Sequence, residues 1–318
     1  MTAARSGPPL RITHLRDLTL DAATHPRGQS HLCAASGLVC EHGRAYAVAD
    51  DEHHLAVFRD LATPGALHRI RSGDLPARKG ARKRRKPDLE ALLSLPLDWA
   101  GGRMLLALGS GSRPNRCTGF AVPFDRDGGL SPRVHTFDLS ALYRPLMAQL
   151  GGLNIEGAMV VGDRLVLLNR GGRDGLPNAA LFLPMMALRD AISGSGVGVG
   201  ACGVSVGACG VRHFDLGALD GVALGFTDGA ARPDGSWLFS AAAEHSADSV
   251  VDGPCRGSVI GEVSARGELV AMRRLPGTTK VEGVALQPDG PSLCMVTDDD
   301  DPQHCAQLLQ ATWPHARD

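Results

Sequence analysis

Apolar residues along this chain come in short runs closed by Gly, Pro, Asn or Asp, and the runs recur in pairs. The first run of each pair opens on a polar residue, then Gly or Ala, then apolar positions. These openings are Ser36-Gly37-Leu38-Val39, Glu90-Ala91-Leu92-Leu93, Glu156-Gly157-Ala158-Met159, Asp220-Gly221-Val222-Ala223 and Glu282-Gly283-Val284-Ala285. Their leading residues are separated by 54 to 66 positions. A turn and a second apolar run follow each one: GRAYAVADD, GRMLLALGS, DRLVLLNRG, GSWLFSAAA and PSLCMVTDD. Runs this short, with Glu41-His42-Gly43, Gly162-Asp163, Pro233-Asp234-Gly235 or Pro288-Asp289-Gly290 between them, predict β-hairpins rather than helices.

Two further strand-like runs complete most units: HLAVF and ALHRI, TGFAVPF and RVHTF, ALFLPM and VRHFDL, SVIGEV and ELVAMRRL. The fifth unit has only AQLLQATW, and LRITHLRDL at residues 10–18 supplies its missing strand. Closing a ring in this way removes its free sheet edge. The pattern predicts an all-β, five-bladed β-propeller with four-stranded antiparallel blades, forming one domain over residues 1–318. Blade one covers about 30–74, blade two 86–140, blade three 152–217, blade four 218–276, and blade five 280–313 with the closing strand. A two-sheet sandwich of unrelated hairpins is the competing fold, and the regular repeat weighs against it. Residues 191–211, ISGSGVGVGACGVSVGACGVR, read as an uncharged glycine-rich insertion in blade three, on the face opposite the starts of the inner strands.

Composition sharpens this picture. Forty glycines and twenty prolines in 318 residues suit many tight turns. A net charge of −1 speaks against a general nucleic-acid binder, and no apolar run has the length of a membrane span. The N-terminal residues contain no apolar signal core, and the eight cysteines show no zinc spacing. A reduced, cytoplasmic protein is expected.

In a propeller the first strand of each blade lines the central channel, and the second returns to the same face. This places Ser36, Glu90, Glu156, Asp220 and Glu282 around the channel mouth, one per blade. Beside them lie the ends of the second strands: Asp50-Asp51, Arg113 to Arg116, Asn169-Arg170, Glu244-His245 and Asp298 to Asp301. Carboxyls crowded in a narrow channel need protons, hydrogen bonds or a cation. An all-oxygen ligand set suits Ca²⁺, with its 6–8 oxygens, better than zinc. Backbone N–H groups or channel water satisfying the same acids is the alternative.

The ring resembles that of the five-bladed calcium-activated nucleotidases (apyrases), and the repeat is similar to that of phytase-like and esterase-like bacterial propellers, including uncharacterised relatives. The resemblance implies a channel calcium held by serine and glutamate side chains. Asp220 stands where that pattern has serine, and at 4% aromatic residues no nucleotide-stacking set is evident.

Anion-binding groups are also expected at the mouth. Asn115-Arg116 and Asn169-Arg170 occupy equivalent places in blades two and three, and Lys86 and Lys280 precede ring acids. Arginine's planar fork matches phosphate or carboxylate; ion pairs with nearby acids are the other use of these groups. His245, next to Glu244, is the candidate acid or base. The run 78–86 carries seven positive charges in nine residues and reads as a solvated loop crossing this face. These features lead to a Ca²⁺-dependent hydrolase of an anionic phosphoester or phosphoanhydride. Two alternatives stand beside it: a non-catalytic propeller that binds a protein or ligand, and a lactonase- or esterase-type hydrolase.

Overall fold

A computed structural model describes residues 5–97, 102–172, 175–194, 210–244, 254–288, 290–299 and 301–314. It is a five-bladed β-propeller. Blade one is built from Ala35–Glu41, Arg44–Ala49, His54–Phe58 and Ala66–Arg69, hydrogen-bonded in that order. Blade two takes Leu89–Leu97, Gly102–Gly109, Thr118–Pro123 and His135–Asp138; blade three takes Ile155–Val161, Arg164–Asn169, Asn178–Pro184 and Gly210–Phe214. Blade four runs Val222–Ala231, Trp237–Glu244, Cys255–Val263 and Leu269–Arg274, with the short strands Ala218–Leu219 and Arg5–Ser6 on its two edges. Blade five is Val281–Leu286, Ser292–Thr297 and Gln307–Thr312, completed by Ile12–Asp17 from the other end of the chain.

Alternation along each strand puts apolar side chains on both faces, and each face meets the neighbouring blade. The buried apolar residues therefore fall into five clusters, one per junction. Tyr46, Val48, Leu92 and Phe120 fill the junction of blades one and two. Phe226, Trp237, Phe239 and Leu168 fill that of blades three and four. Each fully buried Leu or Phe contributes about 1.5–3 kcal/mol, so the ring is held mainly by these junctions.

Three α-helices among the described residues were not expected from the periodicity. The basic run forms α1, Lys79–Arg85, across the channel mouth instead of a solvated loop. Its Arg82 and the following Lys86 are buried and tied to blade one. Ser140–Leu150, α2, buries Leu142, Tyr143 and Leu146 and stops at Gly151, whose φ of 78° only glycine adopts cheaply. Met185–Ser193, α3, buries Leu188 and Ile192 against the same cluster. Of the glycine-rich insertion, residues 195–209 lie outside the described residues. No helix among the described residues is long and apolar enough to cross a membrane.

Candidate functional site at the channel mouth

The inner strands share one irregularity that builds the site. Each carries a β-bulge, near its start in four blades and midway in blade four: between Ala35 and Leu38, Leu89 and Ala91, Ile155 and Gly157, Phe226 and Asp228, Val281 and Gly283. A bulge turns its extra residue out of the ladder and re-aims that side chain. The residues so turned include Ser36, Glu90, Glu156, Thr227 and Glu282. The small residue that follows has its own physical reason. A Cβ on Gly283 would stand 2.2 Å from the Ser36 carbonyl oxygen, and one on Gly157 would stand 2.8 Å from the Asp228 Cα. Inner strands approach too closely there for a side chain.

Asp220 is not part of this ring. It lies with Gly221 at the tip of a two-residue hairpin joining Ala218–Leu219 to Val222, both with positive φ, as such turns require. Its exposed carboxylate lies 3.1 Å from Arg274. The equivalent position in blade four is Thr227, whose hydroxyl bonds the Val281 carbonyl and Ser240. Behind it Asp228 is 1% exposed and accepts N–H bonds from Gly229 and, at 2.9 Å, from Val284 of blade five. Burial pushes its carboxyl well above the ordinary carboxylate range. Sequence spacing missed Asp228, although Asp228-Gly229 repeats the motif eight residues after Asp220-Gly221.

The remaining expected residues meet at the mouth. Ser36, Glu90, Glu156, Glu282, Lys86, Arg116, Arg170, Glu244 and Lys280 line one cavity of about 80 Å³ with Asp50, Asp88, Asn154 and Asp298. Arg170, buried, reaches Glu156 at 3.3 Å, Glu282 at 3.4 Å and Glu244 at 2.9 Å. Burial alone would favour its neutral form, but these carboxylates hold it firmly charged. Lys280 adds contacts to Glu282 at 3.1 Å and Glu244 at 3.3 Å. Half of the ring is thus closed by internal cations, the ion-pair alternative for these bases.

The other half centres on Asp88, which the sequence reading did not single out. Its φ of 57° is unusual for a residue with a side chain, and its buried carboxylate gathers four donors. They are Lys86 at 2.7 Å, Arg116 at 2.7 Å, Ser110, and Ser112 at 3.4 Å. Burial opposes ionisation of Asp88, yet Lys86 and Arg116 draw its pKa below the ordinary value. Lys86 also pairs with Asp50, whose carboxyl burial nonetheless raises to about 6, with Asp51 and Asp88 adding to the rise.

Both asparagines of the Asn-Arg pairs serve the backbone. Asn169 accepts from the Asn154 N–H and donates to the Pro177 carbonyl, while Asn115 donates to the Lys86 and Arg84 carbonyls at the end of α1. These bonds occupy the amides expected to touch a ligand. His245 lies outside the described residues.

Glu90 differs from its neighbours. It makes no ion pair among the described residues; burial, then Glu156, Asp88 and Asp50, drive its carboxyl well above the ordinary range. Asp50, Asp88 and Glu90 each present an oxygen within 4.8 Å of the others. This hard oxygen set fits a cation of the Ca²⁺ or Mg²⁺ kind, with Lys86 as the internal cation it would have to displace from Asp50 or share.

Among solved structures, the fold is similar to a gluconolactonase, XC5397, from Xanthomonas campestris, at 11% identity and a TM-score of 0.40, covering 97% of this chain and 96% of that one. It is also similar to MPT-4, a mannose phosphorylase from Leishmania mexicana, in complex with phosphate ion, at 9% identity and a TM-score of 0.46, covering 96% and 89%. These values are too low to carry anything about chemistry. No curated protein matches the sequence. The apyrase- and phytase-like resemblance of the ring finds no counterpart in these comparisons. The chain belongs to a family of unknown function, DUF6929, which it matches over residues 31–312.

Proposed function

We propose that the channel mouth is a divalent-cation site, with Asp50, Asp88 and Glu90 as ligands and Ca²⁺ as the best-fitting ion, and that it hydrolyses a small ester. Glu90 carries this reading: a carboxyl crowded by three others, with no direct ion pair and only partial relief from nearby Lys86, is the group a cation would satisfy. A bound divalent ion would polarise the ester and lower the pKa of a ligated water. The protein's own part is to exclude bulk water and hold Asp88 ionised between Lys86 and Arg116.

A cavity of about 80 Å³ exceeds the ~10–15 Å³ that one water needs, but falls well short of the ~300 Å³ of an enclosing ligand pocket. It admits an ion, a few waters and the reacting group. The rest of the substrate would stay outside. With Arg170 engaged by three carboxylates, its use as an anion clamp gains no support from the geometry. A phosphoester and a lactone remain the two candidate esters.

The ion pairs of Arg170 and Lys280 favour one second reading, a closed structural ring whose face binds without catalysis. Metal analysis with melting in Ca²⁺ and in EDTA tests the site, followed by phosphoester and lactone panels. The proposal expects a Tm increase with Ca²⁺ that Glu90→Gln abolishes, and turnover in one panel. Indifference of the wild type to both reagents overturns the cation site; a Ca²⁺ response with no turnover leaves the binding module.

A further inference from the structure

The junction that closes the ring, between blades five and one, holds another cavity beside the 41–44 turn of blade one, away from the mouth. It measures about 330 Å³ and is lined by Cys40, Cys294, Gln287, His42 and Phe58 among others. Cys40 lies near the end of blade one's inner strand, opposite Ala45. Cys294 lies near the start of blade five's second strand, opposite Ala285 and Gln310. Cys294 belongs to the apolar cluster of this junction, Cys40 packs against it, and both side chains line the same cavity from the two blades. Gln287 Nε2 donates to Cys294 Sγ at 2.7 Å, fixing that sulfur's position. Cys40 is half-buried and Cys294 is 3% exposed, so a small solute in the cavity meets Cys40 first.

We infer that Cys40 and Cys294 form an oxidisable dithiol, which a peroxide entering this cavity converts to a disulfide locking the first blade to the last. The Cys40 sulfur attacks one oxygen of the peroxide, the O–O bond breaks, and Cys40 becomes a sulfenic acid with release of water. The Cys294 sulfur then displaces the hydroxyl as a second water, forming the S–S bond. Two thiols lose two electrons and two protons, and one peroxide becomes two waters. The neighbouring Cys294 thiol, then burial, hold the Cys40 thiol well above its ordinary pKa. The pair is therefore slow at neutral pH and quicker as pH rises.

The two cysteines are 254 positions apart along the chain, so the lock constrains the unfolded state strongly. The test uses the full chain, folded, with hydrogen peroxide as the oxidant. Free thiols are then alkylated and the protein is digested without reductant. A linked Cys40–Cys294 peptide is expected, two hydrogens lighter than its parts. Tm should rise by roughly 5 °C and fall back on reduction. Cys40→Ser and Cys294→Ala should each remove both the peptide and the rise. Two results overturn the inference: oxidation of other cysteines or higher sulfur acids without this linkage, or a Cys40–Cys294 bond that appears only after unfolding in urea.

Discussion

Arg170 makes three glutamates compatible at a distance where they would otherwise repel, and it does so at 6% side-chain exposure. Removing one partner of such a buried network costs about 3–5 kcal/mol, because charge is left uncompensated. Arg170→Met should therefore lower the urea midpoint by that equivalent, while exposed Arg84→Met should leave it unchanged. A different residue adds to the acid sensitivity of the fold. Burial, with Arg69 adding to it, lowers the pKa of His54 to about 4 from an ordinary 6.5. Between those values the unfolded chain takes up a proton that the folded protein refuses, so stability drains away as pH falls from 6.5 towards 4. Melting curves at pH 7 and pH 5 should show a smaller drop for His54→Gln than for the wild type. The repeat brought Arg170 to the same mouth as Glu156, Glu282 and Glu244, but it did not show the partner of Arg116, Asp88. Pairings of Arg170 span from 14 residues, with Glu156, to 112, with Glu282, and only the folded ring shows which of them close.

At the scale of the strand, the Glu-Gly pair joins two requirements: a bulge that aims the acid and an absent side chain that lets the next strand in. Gly283→Ala should cost about 1–3 kcal/mol in denaturant melts, since its Cβ would press on a backbone oxygen that has nowhere to go. Asp220→Asn should change neither stability nor any Ca²⁺ response, because an asparagine tolerates the same turn and the ring lies elsewhere. Blade four shows why the ring was only partly readable. It offers two Asp-Gly pairs, and regular spacing selects the turn at 220, whereas the inner strand begins its bulge at 227. Asp88 was invisible for another reason: its left-handed backbone leaves no mark in composition or periodicity. In α1, the like charges that read as a solvated run conceal two buried anchors, Arg82 on Asp51 and Lys86 on Asp50.

Over the whole molecule, five junctions of similar make-up mean that no blade has a core of its own. The ring as a whole was legible because the fifth unit visibly lacked a strand that residues 10–18 could supply. Deleting residues 1–18 should expose the Gln307–Thr312 edge and strip Leu10 and Leu18 from the interior, giving aggregation in size-exclusion chromatography and loss of a single cooperative melt. The pairing of Ile12–Asp17 with Gln307–Thr312 also has a temporal side. At ~5–20 residues per second, translation separates the emergence of these two segments by roughly 15 to 60 s. The earlier of the two strands thus waits for its mate, and for that interval the nascent chain carries an unmatched ribbon that a chaperone, or nothing, must shield.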